Sequence, residues 1–156
     1  MKKLLLPIGL PASGKTTLRK TSYKHYSVVS PDEIRLEVLD FSNTGKRFDA
    51  DKEEEVWKRV WIKYDRLLSE KADIFFDATN TTFKRRYQIV TRARKAGYFI
   101  KFFYIKVTLQ SVLVRNARRK AFVPEQVIAR MFVELDEPES WEYDKLILYT
   151  RPFVAD

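Results

Sequence analysis

Eight residues near the start of the chain carry its densest chemistry. Gly9-Leu10-Pro11-Ala12-Ser13-Gly14-Lys15-Thr16 fits the spacing GxxxxGK[ST] at every fixed position. The glycines let the backbone curl so that successive N–H groups converge on phosphate oxygens. A helix starting at Lys15 adds the positive end of its dipole to the same spot. In such a loop Lys15 neutralises the β- and γ-phosphates of ATP and the Thr16 hydroxyl meets magnesium. Gly9, Ala12, Ser13, Gly14 and Thr17 complete the expected cradle. A glycine turn with an incidental lysine is the plain alternative, but an apolar strand precedes the loop and a helix follows it, as a phosphate loop requires. ATP with Mg2+ is the expected donor. The acceptor stays open among water, nucleotide, sugar, protein and nucleic-acid end. No Asn-Lys-x-Asp guanine-reading motif is present, and Asp77-Ala78-Thr79-Asn80 is not an Asp-x-x-Gly switch, which argues against a signalling GTPase.

A second constellation, Asp32-Glu33-Ile34-Arg35, follows a short apolar run at residues 27–30. In an open α/β sheet the loops at the carboxyl ends of strands face the ligand crevice. A carboxylate there can take the proton of an attacking hydroxyl. Asp32 and Arg35 lie three apart and share a helix face, which leaves Arg35 to grip an acceptor phosphate. The competing reading is an acid favoured by the helix dipole plus a routine ion pair. On these residues alone both stand. His25, the single histidine, has no partner motif and receives no role.

The elements that must hold these groups alternate. Residues 2–8 read as a buried central strand, Lys15 to about Lys24 as a short helix, and 27–30 as a second strand. Ser30 is placed to cap a helix that has Pro31 as its first residue and runs to about Val38. Phe41 to Lys52 shows little periodicity and reads as a mobile loop. From Glu53 to Lys71, Val56, Trp57, Val60, Trp61, Tyr64, Leu67 and Leu68 keep helical spacing, which favours the core for both tryptophans over a role as base-stacking platforms. Strands follow at 73–77, 98–107 and 145–150, with helices at 83–96, 109–118 and 124–135, the first of them closed by Gly97. Alternation of this kind predicts an α/β fold of P-loop type: a central parallel sheet with helices on both faces and a helical lid, in one domain over residues 1–156.

Composition sets the outer bounds. The chain has 156 residues, a net charge of +9 and no cysteine, which removes disulfides, thiol nucleophiles and cysteine-bound zinc and points to a reducing, cytoplasmic setting. The short apolar start reads as a strand rather than a signal peptide, and no membrane span or protein partner is expected. Between Asp77 and Glu125 there is no acidic residue, against twelve basic ones: Lys84, Arg85, Arg86, Arg92, Arg94, Lys95, Lys101, Lys106, Arg115, Arg118, Arg119 and Lys120. Such a stretch reads either as a solvated basic face or as an attraction for polyanions.

Taken together, Gly9–Thr16, Asp32-x-x-Arg35, Asp77-x-Thr79-Asn80, and Arg115-Asn116-Ala117-Arg118-Arg119 ahead of Val123-Pro124 resemble the phage-type polynucleotide 5′-kinases, in order and spacing, from Met1 to about Leu135. The resemblance implies a parallel-sheet P-loop fold that uses ATP and magnesium, with the 5′-hydroxyl of DNA or RNA as acceptor. It implies Asp32 as general base and Arg35 on the acceptor's first phosphate. Asp77 would hold magnesium, directly or through water, or organise the pocket, while a plain loop cap is its structural alternative. Thr79 and Asn80 would line the acceptor side, and Arg119 would be the lid arginine over the β- and γ-phosphates. Arg115 reads as a structural or phosphate-positioning residue. The spacer from Arg119 to Pro124 is one residue shorter than the family's pattern, so Arg118 can trade places with Arg119. No Asp-x-Asp-Gly-Thr phosphatase signature is present, which suggests a stand-alone kinase domain. A kinase for a small-molecule or aminoacyl-tRNA hydroxyl is the second reading, and a nucleic-acid-binding ATPase module without transfer activity is the third.

Overall fold

The computed structural model describes residues 1–120 and 122–152. Five strands form one sheet: β1 (Lys3–Ile8), β2 (Ser27–Val29), β3 (Ile74–Phe76), β4 (Phe99–Ile105) and β5 (Lys145–Tyr149). Their order is β2-β3-β1-β4-β5 and every pairing is parallel. β1 is central because its near-unbroken apolar run can be covered on both faces. Side-chain alternation then sorts the core. Leu4, Leu6, Ile8, Ile74, Phe76, Phe102 and Tyr104 point to one face, and Leu5, Phe75 and Phe103 to the other.

The first face is covered by α2 (Pro31–Val38), α4 (Glu53–Ser69) and α5 (Phe83–Lys95), whose Ile34, Val56, Val60, Tyr64, Ile89 and Val90 fill the larger core. α1 (Lys15–Ser22) covers the second face through Leu18. α6 (Leu109–Ala117) and α7 (Glu125–Glu134) pack Val112 and Ile128 onto Leu10, so this helical pair sits on the glycine-rich loop itself. Local signals set the helix starts. The Ser30 hydroxyl accepts from the Glu33 N–H with Pro31 at the first helical position, and Thr82 accepts from the Arg85 N–H. Gly97, at φ +82°, turns the chain out of α5.

Two expectations are corrected. Residues 41–52, read as a mobile loop, contain the short helix α3 (Phe41–Thr44) and a 3₁₀ turn at Ala50–Lys52, each closed by local backbone bonds rather than by an apolar stripe. The two tryptophans are half-buried at the edge of the core rather than inside it. No helix among the described residues is long and apolar enough to cross a membrane.

Candidate active site

The carboxyl ends of β1, β2 and β3 meet above the sheet, and the loops leaving them enclose a cavity of about 720 Å³. Its floor is the glycine-rich loop. The chain enters that loop through Gly9, where a Cβ would lie 2.6 Å from Ser13 Oγ and would push that side chain out of place. Gly14 sits at φ +98° and Ala12 at φ +64°, left-handed conformations that turn the backbone around the cavity. Ala12, Gly14, Lys15, Thr16 and Thr17 line the cavity, while Gly9 and Ser13 lie beneath as structural supports. The Gly9 N–H donates to Thr79 O at 3.0 Å and ties the loop to the end of β3.

Lys15 folds over its own loop, with Nζ donating to Leu10 O at 2.6 Å and to Ser13 Oγ at 3.4 Å. Burial pushes its ammonium down to about 8; Asp77 and Asp32 hold it up, and the Arg119 charge adds to the depression. Thr16 Oγ1 donates to Asp77 Oδ2 at 3.0 Å, and Arg19 Nε lies 3.3 Å from the same oxygen. Burial raises the Asp77 carboxyl, and Arg19, Lys15 and Thr16 oppose that rise. Arg19 also reaches Glu33, so one guanidinium on α1 ties the β3 carboxylate to α2.

These residues fit Mg2+ only in company. A hydroxyl and one carboxylate are too few for an all-protein site, and no cluster of three or more acidic or histidine ligands exists among the described residues. Magnesium takes few protein ligands and completes its octahedron with water and phosphate oxygens, which is what a P-loop Thr16 beside Asp77 permits.

The acceptor wall comes from α2 and α4. Asp32, exposed at the first turn of α2, lines the cavity and pairs with Arg35. Arg35 is already partnered on its carboxylate side. Its Nε and Nη2 bind both oxygens of Glu53 at 2.6 and 3.1 Å, and its Nη1 binds Asp32 Oδ1. Burial pushes the Arg35 guanidinium down, but Glu53 and Asp32 outweigh it and leave it raised. Thr79 lines the cavity as expected. Asn80 does not. It is buried at φ +51°, with Nδ2 donating to Pro7 O, Ala78 O and Phe76 O, because it stitches the ends of β1 and β3 together.

The roof is the segment between α6 and α7. Arg115, Arg118 and Arg119 all line the cavity. Arg115 Nε donates to Ala12 O at 2.8 Å, which makes it a brace for the loop. Asn116, buried, donates to Val123 O and accepts from Val123 N, pinning both ends of the lid segment. Ala121, within that segment, lies outside the described residues, and both arginines face the same space. Arg119 is the one whose charge reaches Lys15.

The basic stretch is diluted by the fold. Arg86 pairs with Glu142, Arg92 with Asp65, Arg94 with Asp144 and Lys106 with Glu137, carboxylates that all come from outside the stretch. The Arg86–Glu142 pair is fully buried and also holds the carbonyls of Asn80 and Thr81. Three of the six basic residues of α5 are thus paired, and the positive charge lining the cavity comes from Lys15, Arg35 and the lid arginines.

Sequence reasoning missed Arg19 and Glu53. Arg19 stands one helical turn after Lys15, a spacing that puts both on one face of α1. Glu53 had no comparable signal, since only the packing of α4 on α2 brings it to Arg35.

A family model described as an AAA domain (AAA_33) matches residues 4–138. The L-seryl-tRNA(Sec) kinase of Methanococcus maripaludis is 26% identical over 144 residues, 86% of this chain and 53% of that protein. Among solved structures, a chain of the Pnkp1/Rnl/Hen1 RNA repair complex superposes with a TM-score of 0.73 at 23% identity, covering 86% of this chain and 44% of that one. A gluconokinase from Sinorhizobium meliloti gives 0.65 at 16% identity, covering 96% and 84%. These structural likenesses establish the P-loop α/β fold. The chain spans about half the length of the curated relative it matches.

Proposed function

Because the chain belongs to the AAA domain family, we propose that it is an ATP-dependent phosphotransferase whose acceptor is the 5′-hydroxyl end of a nucleic acid. One observation carries the reading: a single cavity brings the phosphate loop, the exposed Asp32 carboxylate and the lid arginines around one space. ATP hydrolysis alone requires no acceptor wall opposite the phosphates.

In the step proposed, the acceptor oxygen attacks the γ-phosphorus. Its O–P bond forms as the bond from the γ-phosphorus to the β,γ-bridging oxygen breaks, and the electron pair leaves with ADP. Asp32 takes the acceptor's proton. Arg35 and Glu53 hold that carboxylate in place, since the bidentate Arg35–Glu53 pair fixes the guanidinium on which Asp32 leans. Lys15 and Arg119 meet the charge that builds on the transferring group, and Arg118 stands beside them. Thr16 would hold Mg2+, with Asp77 meeting it directly or through water, and the ion would supply positive charge against the phosphates. Arg35 retains N–H groups on its terminal nitrogens for an acceptor phosphate.

The nucleic-acid acceptor is supported by the motif order that resembles polynucleotide 5′-kinases and by the fold shared with a chain of an RNA repair complex. A second reading, transfer to the hydroxyl of an aminoacyl group on tRNA, is favoured by the similarity to the L-seryl-tRNA(Sec) kinase. The two separate in one competition. γ-Labelled ATP, Mg2+ and equal amounts of a 5′-hydroxyl oligonucleotide and seryl-tRNA are incubated with the protein, and the products are resolved on a gel. Label on the oligonucleotide end supports the first reading. Label on the seryl group, with the oligonucleotide unlabelled, overturns it in favour of the second.

A further inference from the structure

Trp57 has no part in phosphate or metal chemistry, yet it lines the cavity together with Pro31, Asp32 and Arg35. A large aromatic ring beside the proposed base offers a flat π-face to whatever enters the acceptor end of the cavity. Its position follows from spacing. Glu53 and Trp57 stand four apart on α4 and so share a face, and Glu53 is the residue that holds Arg35, which in turn holds Asp32. The ring therefore lies about one helical turn (~5.4 Å of rise) along α4 from the network that positions the proposed base. In a nucleoside one sugar separates the 5′-oxygen from the base, a span of similar size.

The ring is also held. The Arg85 guanidinium stacks 3.4 Å from the Trp57 centroid, and Trp61 packs at 5.6 Å. Arg85 is half-buried and does not line the cavity, so this cation–π contact braces the ring from elsewhere and leaves its cavity side available. Arg92 continues the stack over Trp61 at 4.3 Å. The result is a rigid aromatic surface whose exposed part faces the acceptor end of the site.

We infer that Trp57 is the stacking platform for the first nucleobase of the acceptor, the base next to the attacked 5′-hydroxyl. This rests on the nucleic-acid reading above and names the contact that would make it selective for nucleosides over small alcohols. Stacking uses the π-face that every base has, so the platform tolerates sequence.

The test compares two acceptors on two proteins. One oligonucleotide carries a normal first nucleotide, and the other an abasic 5′-hydroxyl nucleotide at the same position. With the wild-type protein, the KM for the abasic acceptor should be about 10–100-fold higher, the span that base stacking on an aromatic side chain gives. With Trp57→Ala the two acceptors should differ by less than twofold, because the platform is gone, and Trp57→Phe should restore most of the difference. KM for ATP serves as the control for fold and donor site. If wild type shows no abasic penalty, or if Trp57→Ala keeps the full penalty, the platform assignment is wrong while the nucleic-acid reading stands. If neither oligonucleotide is phosphorylated by wild type, the nucleic-acid reading falls and takes the platform with it. An absent wild-type penalty overturns the platform without any variant, and should Trp57→Ala fail to fold, Trp57→Leu, which keeps bulk but has no π-face, gives the same comparison.

Discussion

At Lys15 one ammonium must stay charged for phosphate while buried by its own loop, and burial holds it down at about 8. ATP would raise it again, so binding takes up a proton wherever the free site has lost one. ATP affinity should therefore be flat below pH 8 and fall as pH rises above it, and calorimetry in buffers of different ionisation enthalpy should detect proton uptake near pH 9. Lys15→Ala should abolish both that uptake and phosphoryl transfer. For the unliganded fold the sign is opposite: burying the charged lysine costs stability that is regained between pH 8 and 10.5, as the folded state sheds its proton first. Asp32 carries a separate expectation. Asp32→Asn should lower kcat by at least ~10²-fold and leave ATP affinity near wild type. Glu53→Gln, which loosens Arg35 and so misplaces Asp32, should lower kcat about 10-fold. Steady-state turnover and ATP titration on one preparation of each variant check both. The loop that lines the cavity floor was legible because a contiguous octapeptide encodes it. The Arg35–Glu53 pair and the buried Asn80 were not, since each depends on partners 18 and 73 residues away.

Among the elements, the proposed reaction leans on the lid. Asn116 ties the two ends of the lid segment together through Val123, with Arg118 and Arg119 between them. Arg119, whose charge reaches Lys15, should be the more costly loss. Arg119→Ala should reduce kcat strongly and Arg118→Ala less, and the reverse order in single-turnover kinetics would assign the phosphate contact to Arg118. α5 has a different duty. Its Arg86 is fully buried against Glu142 and holds the carbonyls at the end of β3. Arg86→Ala should cost about 3–5 kcal/mol in urea unfolding, since it leaves a buried carboxylate unpaired, and joint replacement of Arg86 and Glu142 by apolar residues should recover much of it. Helix positions were readable from periodicity and caps, as at Ser30 and Thr82. Residues 41–52 were misread because short turns closed by backbone bonds leave no apolar period. Trp57 was misread because the stripe that marks a core face also reaches its rim.

Across the whole molecule, charge decides how an acceptor meets the site. The twelve basic residues look like a polyanion track in sequence, but four are neutralised by carboxylates that the fold brings in, and three line the cavity. With the lid arginines committed to ATP and the loop, and Arg35 left for the acceptor's phosphate, log KM for the oligonucleotide should rise with log salt at a slope of about 0.7, against ~8 if all twelve basic residues took part. The parallel sheet was predictable from strands alternating with helices, whereas the distribution of charge required the tertiary pairs. The central claim, that the cavity transfers phosphate to a 5′-hydroxyl rather than to water, is tested most directly by stoichiometry. ADP formed and 5′ ends labelled are counted in one reaction with γ-labelled ATP, Mg2+ and a 5′-hydroxyl oligonucleotide, for wild type and for Asp32→Asn. The account predicts one labelled end per ADP in wild type and loss of both in the variant. Free phosphate released without end labelling, at equal rates in both proteins, would contradict it.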